Sequence, residues 1–368
     1  MCEKERHAME RRNRIALLQD VMKREGVEAV LVESAVNRRY LTYVDTSAGA
    51  LIVTAEDAVF LVDFRYIEKA RKECVGCEVM LCPDFTVGIQ QFLSGRGVQE
   101  VLIERERISL MRYEELTGIC TGQRFSTDKS AGALIEELRK IKDPYELSCF
   151  RLAQKIGDEA FLHMLDVIRP GRMESELKME LGTYMVKLGS QNYGMNFITS
   201  SGIKTSLPHG GSGDAQVQKG DFVMMDFGGT IDGYSSDMTR TVAVGSVTDE
   251  QREVYEHVKQ AQLKALAAIK PGVTGQAVDK TARDYIYGKG YTGCFGHGLG
   301  HSLGLEIHEN PRCSEICTEV LRPGMMMTVE PGIYLEGRFG VRIEDMGVVT
   351  EDGFDNMTHS DKELIVVG

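Results

Sequence analysis

Phe222-Val223-Met224-Met225-Asp226-Phe227-Gly228-Gly229-Thr230-Ile231-Asp232-Gly233-Tyr234-Ser235-Ser236-Asp237-Met238-Thr239-Arg240-Thr241-Val242 reads as two strands around a tight turn. Apolar runs flank an Asp-Gly pair, a strong short-range hairpin signal, because a two-residue hairpin turn asks for positive φ. A turn centred on Ile231-Asp232 sets Asp226 directly opposite Asp237. One centred on Asp232-Gly233 sets Asp237 opposite Gly228, which shares a face with Asp226. Either register makes the two carboxylates near neighbours on one face. Like charges facing across a strand pair cost up to about 1 kcal/mol, and more when buried, so something cationic is expected between them.

The pattern recurs in Thr328-Val329-Glu330-Pro331-Gly332-Ile333-Tyr334, Leu335-Glu336-Gly337-Arg338-Phe339 and Gly340-Val341-Arg342-Ile343-Glu344-Asp345. A loop centred on Gly337 brings Glu330 opposite Glu344. Strand carboxylates are usually solvated surface groups, but Met224, Met225 and Val329 beside these four read as core. Two such registers in one chain favour a functional acidic site.

Three of the eight histidines fall in His297-Gly298-Leu299-Gly300-His301-Ser302-Leu303-Gly304-Leu305-Glu306-Ile307-His308-Glu309. His297 and His301 have the spacing of a helical zinc motif, yet Gly298 and Gly300 disfavour helix and no Glu follows His297. A glycine-rich strand or loop that delivers one imidazole to the acidic cluster, with the others lining a cleft, fits better. His209, between Pro208 and Gly210, belongs to a loop. Four carboxylates with one or two imidazoles make a hard donor set, suited to Mn²⁺, Co²⁺ or another divalent ion in a pair rather than to a structural zinc, which favours thiolates. Four negative charges roughly balance two dications, which hydrolases hold about 3.5–4 Å apart. Metal-assisted hydrolysis follows as the reaction class.

Around this core of the sequence the chain divides in two. The first third alternates helix and strand: a helix to about Glu25 stopped by Gly26, then Val27–Val32, Leu51–Thr54, Val59–Val62 and Glu100–Ile103 as strands. It gathers no catalytic residue types, and His7 is its only histidine. A helix over Ala133–Ile141 leads to Asp143-Pro144, an N-cap followed by proline at the first helical position. The helix that starts there stops at Arg169-Pro170-Gly171. Two more follow, Glu174–Leu188 and Glu250–Ile269, the second capped by Thr248 or Asp249. Glycine-punctuated strands lie between and after them, so an α/β domain over 1–132 precedes an α+β domain with an antiparallel sheet over 133–368.

The 368 residues are enough for two domains, and 42% hydrophobic with 27% charged residues is globular composition. A net charge of −12 argues against nucleic acid or an anionic membrane as partner. No run approaches the eighteen or so apolar residues of a membrane span. The charged start, Met1-Cys2-Glu3-Lys4-Glu5, is unlike a signal core, so a cytoplasmic location is expected. Nine scattered cysteines suit reduced thiols there. Cys74-Val75-Gly76-Cys77 has no second pair at zinc-ribbon spacing and reads as plain thiols.

Asp226 in DFGG, Asp237 in SSDMTRT, His301 in GHSLGLEIHE, Glu330 in TVEPGIY and Glu344 in GVRIED resemble the five-ligand signature of the pita-bread metallopeptidases, in their aminopeptidase P and prolidase branch. Asn37-Arg38-Arg39-Tyr40-Leu41 and Asp63-Phe64-Arg65-Tyr66 are similar to that family's N-terminal domain, and Leu138-Arg139-Lys140-Ile141-Lys142 to its connecting helix. The resemblance implies a creatinase-like N-terminal domain and a pita-bread catalytic domain that cleaves between an N-terminal residue and a following proline. It implies two divalent ions, Mn²⁺ first with Co²⁺ or Zn²⁺ as alternatives. Asp226 would bind one, Asp237 and Glu344 would bridge, and His301 and Glu330 would complete the second. A water held between the ions would be the nucleophile, with Glu330 moving its proton.

His209 and His308 match the family's substrate-facing histidines, His297 a cleft histidine, and Thr239 and Arg342 residues behind the ligands. Ser302, where the family usually has glycine, adds a side chain near the metal mouth. Small peptides with proline second are the implied substrates, and a homodimer the implied assembly. Xaa-Pro dipeptidase activity is the alternative, with Arg312 able to hold a dipeptide's carboxylate. Methionine aminopeptidases generally lack such an N-terminal domain. Creatinase-like members lack the full ligand set, and inactive peptide-binding relatives typically lose the ligands that this chain retains.

Overall fold

The computed structural model describes residues 11–194 and 196–368; the charged start and His7 lie outside them. The chain forms two compact units that part between Arg139 and Lys140, inside the connecting helix.

In the first unit, helix α1 (Arg14–Glu25) starts at Asn13, whose side chain accepts the Ala16 N–H, and ends at Gly26 with φ 67°. Strand β1 (Ala29–Val32) is followed by α2 (Ala35–Thr42), β2 (Ala50–Thr54) and β3 (Ala58–Val62), then by α3 (Ile67–Glu73), β4 (Glu78–Leu81) and α4 (Phe85–Gly95). β5 (Glu100–Ile103), α5 (Leu110–Ile119) and β6 (Arg124–Ser126) complete it, and α6 (Ala131–Lys140) leads out. The strands form one sheet in the order β4-β3-β2-β1-β5-β6. β1 and β2 are buried along their whole length, as strands covered on both faces must be. The thiols of Cys74 and Cys77 are 3.4 Å apart and unbonded.

The second unit opens as its sequence predicts. Asp143 accepts the Glu146 N–H while the Glu146 carboxylate accepts the Asp143 N–H, and Pro144 starts α7 (Pro144–Val167). After α8 (Glu174–Lys187) come β7 (Ile198–Ser201), a short 3₁₀ turn (Gly202–Ser206), β8 (Phe222–Phe227), β9 (Thr230–Ile231), β10 (Tyr234–Ser235) and β11 (Met238–Val244). α9 (Asp249–Ala268) is capped by Thr248. It is followed by α10 (Gly275–Gly288), in a stretch read from the sequence as glycine-punctuated strand. Thr274 caps this helix and Val278, Ala282 and Ile286 bury one stripe of it, so a helical period of four outweighs the terminal glycines. The chain then runs through β12 (Gly300–Ser302), β13 (Glu309–Cys313), β14 (Met326–Val329), β15 (Gly332–Leu335), β16 (Phe339–Arg342), β17 (Asp345–Val349), β18 (Phe354–Asn356) and β19 (Val366–Val367).

These strands make several small sheets rather than one, antiparallel except where β19 joins β11. Two features place the acidic residues. The first hairpin turns on Asp232-Gly233, both with positive φ (48° and 82°), and pairs Tyr234 with Ile231 and Thr239 with Asp226. That is the second of the two registers, with Asp237 on the face of Asp226. In the second hairpin, Val329 pairs with Asp345 and Gly332 with Arg342, one register on both sides of Glu330 and Glu344. Pro331 lacks an N–H and interrupts the ladder, leaving those two glutamates facing each other at the break. The Glu344 N–H bonds the Thr239 carbonyl at 3.0 Å and stitches the hairpins together.

Candidate metal centre

Asp226 lies on β8, Asp237 just before β11 and His301 on β12, while Glu330 and Glu344 occupy the break in the second hairpin. Asp237, His301 and Glu344 each offer a ligand atom, all within 4.8 Å of one another. His301 Nε2 is 3.4 Å from Glu330 Oε1 and 3.8 Å from Asp237 Oδ2. His301 Nδ1 stands 3.0 Å from the Ser302 carbonyl, which can only accept, so Nδ1 carries the proton and Nε2 turns its lone pair to the carboxylates.

Burial, with His308 adding to it, pushes the His301 imidazole down to about 3, which keeps it neutral. Burial pushes Glu330 up to about 8 against the opposing charge of Arg342. Asp237 and Glu344 are held well above the usual carboxylate range by burial first and by neighbouring carboxylates second.

Arg342 sets a positive charge against the carboxylates. Arg342 donates to Asp226 Oδ2 at 2.6 Å and, through Nε, to Thr239 Oγ1 at 3.0 Å. Thr239 in turn donates to Glu344 Oε2 at 2.7 Å. Glu344 Oε1 is buried with no hydrogen-bond partner among the described residues. An orphaned carboxylate oxygen, neighbours that repel it and an imidazole lone pair aimed at the same point fit divalent cations bound through hard oxygen and nitrogen donors.

The cluster forms the floor of a cavity of roughly 360 Å³, which His209, His297, His308 and Arg312 also line. The His308 ring stands edge-on to that of His301, centroids 4.5 Å apart. Arg312 is paired in register with His301 and makes no side-chain hydrogen bond or ion pair among the described residues. His297 has both ring nitrogens engaged, Nδ1 by the Gly298 carbonyl at 2.8 Å and Nε2 by Tyr334 Oη at 2.9 Å. Tyr334 Oη is also 3.0 Å from Arg342 NH1. Thr239 alone of the predicted site residues stands behind the cavity rather than in its wall.

One expectation is corrected. Ser302 is fully buried and lines no part of the cavity: neighbours on a strand point to opposite faces, and His301 takes the face toward the carboxylates.

Three supports escaped the sequence reading. Tyr334 shares a hairpin face with Arg342, which the Gly332–Arg342 register already implies. Arg240, buried on β11, bonds the Glu344 carbonyl at 2.6 Å and Asp345 Oδ1 at 2.8 Å; a lone cation in an apolar strand was its signal. Asp279 and Arg283, four apart on α10, hold the Leu299 N–H at 3.0 Å and the His297 carbonyl at 2.8 Å.

Residues 148–351 match the model of metallopeptidase family M24, and residues 14–141 that of the creatinase/prolidase N-terminal domain. The chain is 38% identical to an uncharacterised peptidase of Bacillus subtilis, across 93% of this chain and 96% of that one. It is 33% identical to a Xaa-Pro dipeptidase of Pyrococcus horikoshii, across 94% and 97%. Among solved structures it superposes on a Xaa-Pro dipeptidase from Bacillus anthracis with TM-score 0.92 and 38% identity, covering 96% of this chain and 99% of that one. An X-Pro aminopeptidase from Thermotoga maritima gives 0.89 and 33%, covering 96% and 99%. The two-part fold expected from the sequence, creatinase-like and then pita-bread, is therefore the fold observed.

Proposed function

The chain belongs to metallopeptidase family M24, and on that premise we propose that it is a Xaa-Pro aminopeptidase, removing the N-terminal residue from small peptides with proline second. The observation that carries the reading is the buried Asp237–His301–Glu344 cluster, with its orphaned Glu344 oxygen, at the floor of a cleft walled by His209 and His308. Asp226, Asp237, His301, Glu330 and Glu344 would hold two divalent ions, Mn²⁺ first. Divalent ions held there would supply Lewis-acid chemistry, a lowered pKa of bound water and polarisation of the scissile carbonyl.

The chain does the rest. His209 and His308 donate hydrogen bonds to the scissile peptide and to the oxygen that becomes negative as it is attacked. Glu330 accepts a proton at its carboxylate and returns it to the departing prolyl nitrogen. Arg342 and Thr239 keep Asp226 and Glu344 aimed. His297, with both nitrogens engaged, shapes the cleft wall. The protein works as a homodimer in the cytoplasm, with its creatinase-like domain ahead of its catalytic one.

Dipeptidase activity is the second reading. The observation favouring it is Arg312, a guanidinium in the cleft wall without a protein partner among the described residues, able to hold a free carboxylate. The relatives named Xaa-Pro dipeptidase support it equally.

The test is hydrolysis of a Xaa-Pro dipeptide and a Xaa-Pro-Yaa tripeptide by chelator-stripped protein, with and without Mn²⁺. Manganese-dependent release of the first residue from the tripeptide is expected. Cleavage of the dipeptide alone would transfer the assignment to dipeptidase and to Arg312. Cleavage of neither would refute both readings.

A further inference from the structure

His209 reaches the cleft from a loop, and a loop places a side chain only as well as its ends are held. Residues 202–213 leave β7 and return toward β8; the Ser212 hydroxyl accepts the Thr199 N–H at 2.8 Å, the Pro208 carbonyl accepts from Arg342 at 3.0 Å, and one carboxylate ties both ends. Glu174, the first residue of α8, is fully buried. Its Oε1 accepts the Ser201 N–H at 2.7 Å and the Ser201 hydroxyl at 3.0 Å, at one end of the loop. Its Oε2 accepts the Gly213 N–H at 3.0 Å at the other end, and Lys204 Nζ at 2.5 Å from within. The Ser175 N–H adds a bond to the Gly213 carbonyl at 2.9 Å.

Glu174 lines no part of the cavity, so its four contacts serve the loop and not the metal ligands. The loop carrying His308 is closed in a similar way. Buried Lys142 pairs with Glu309 at 3.0 Å, and Glu309 Oε1 accepts the Glu306 N–H at 3.2 Å, two residues before His308.

We infer that Glu174 is a positioning residue of the reaction: by tying Ser201, Lys204 and Gly213 to one buried carboxylate it holds His209 at the cleft wall. The inference rests on the role given to His209 in the proposed function. Outer contacts that aim an active group are worth roughly 10–100-fold in activity.

The test is a double-mutant cycle on the manganese-loaded protein: Glu174→Gln, His209→Ala and the double variant, with kcat/KM for a Xaa-Pro-Yaa tripeptide and metal per chain measured for each. Glu174→Gln is expected to lower kcat/KM roughly 10–100-fold with metal content unchanged, and to lower it less than about threefold when His209 is already alanine. Lys204→Met, at a part-exposed side chain, removes the cation while leaving the N–H bonds. It is expected to repeat the non-additivity at smaller size, and it decides the matter if Glu174→Gln does not fold. Equal losses in both backgrounds, or a parallel loss of metal, would overturn the inference alone. Wild-type kcat/KM in His209→Ala would instead overturn the role of His209, and the inference with it.

Discussion

Glu344 and Asp345 are neighbours in sequence, both buried, and live in opposite worlds. Asp345 is met by Arg240 at 2.8 Å, Lys362 at 2.5 Å and the Asn356 amide at 2.6 Å. Burial alone would raise its pKa, but the two cations outweigh it and the group is held below the usual carboxylate range. Glu344 has one hydroxyl on one oxygen and, among the described residues, no hydrogen-bond partner on the other. Its surroundings are more carboxylates, and its pKa is pushed well up. The difference teaches that this protein is able to neutralise a buried carboxylate with its own cations and, one residue away, leaves the job to something else.

The comparison breaks most sharply by substitution. Glu344→Ala should remove bound metal and turnover together, with activity falling by at least roughly a hundredfold, checked by elemental analysis and peptide hydrolysis; retained metal with lost activity would contradict it. Asp345→Asn should act on the fold instead, because it strands Arg240 and Lys362 against a neutral amide. A loss of about 3–5 kcal/mol is expected in urea unfolding, whereas Glu344→Gln in metal-free protein should cost nothing or stabilise.

The smallest effect is a slope. In metal-free protein Glu330 has its pKa raised from 4.5 to about 8, and Asp237 and Glu344 shift the same way. The folded state then holds protons that the unfolded state has released. Stability is full below about pH 4.5 and falls as pH rises through about 8, by about 1.4 kcal/mol per pH unit for each proton retained. Asp345, shifted down, works oppositely, adding stability above its ordinary value of 3.8 and losing it as pH falls. Melting curves of stripped and Mn²⁺-loaded protein between pH 5 and 8 should diverge with rising pH; parallel curves would mean that the cluster is not what binds the ion.

The parts of this centre carried by local rules were legible in the sequence. Asp232-Gly233 dictates its hairpin turn, and counting outward from it and from Gly337 aligns four carboxylates. The helix start at Asp143-Pro144 is equally local. What escaped depends on contacts across elements. No register tells that Arg342 reaches Asp226 on another hairpin, or that Pro331 splits one ladder into two sheets. α10 was missed because Gly275 and Gly288 resemble strand punctuation, although Val278, Ala282 and Ile286 keep helical time. Ser302 was misplaced because a resemblance at one position says nothing about which side of the strand it faces.

The contacts of Tyr334 have a sense of direction. A guanidinium gives protons and never takes one, and a backbone oxygen takes and never gives. In the string from Arg342 through Tyr334 and His297 to the Gly298 carbonyl, every link must therefore point the same way: it is a rectifier built of hydrogen bonds. Burial, which drives His297 down to about 4, bars the one protonation that would reverse it. Of the three imidazoles in the cleft wall, this one is locked out of proton traffic.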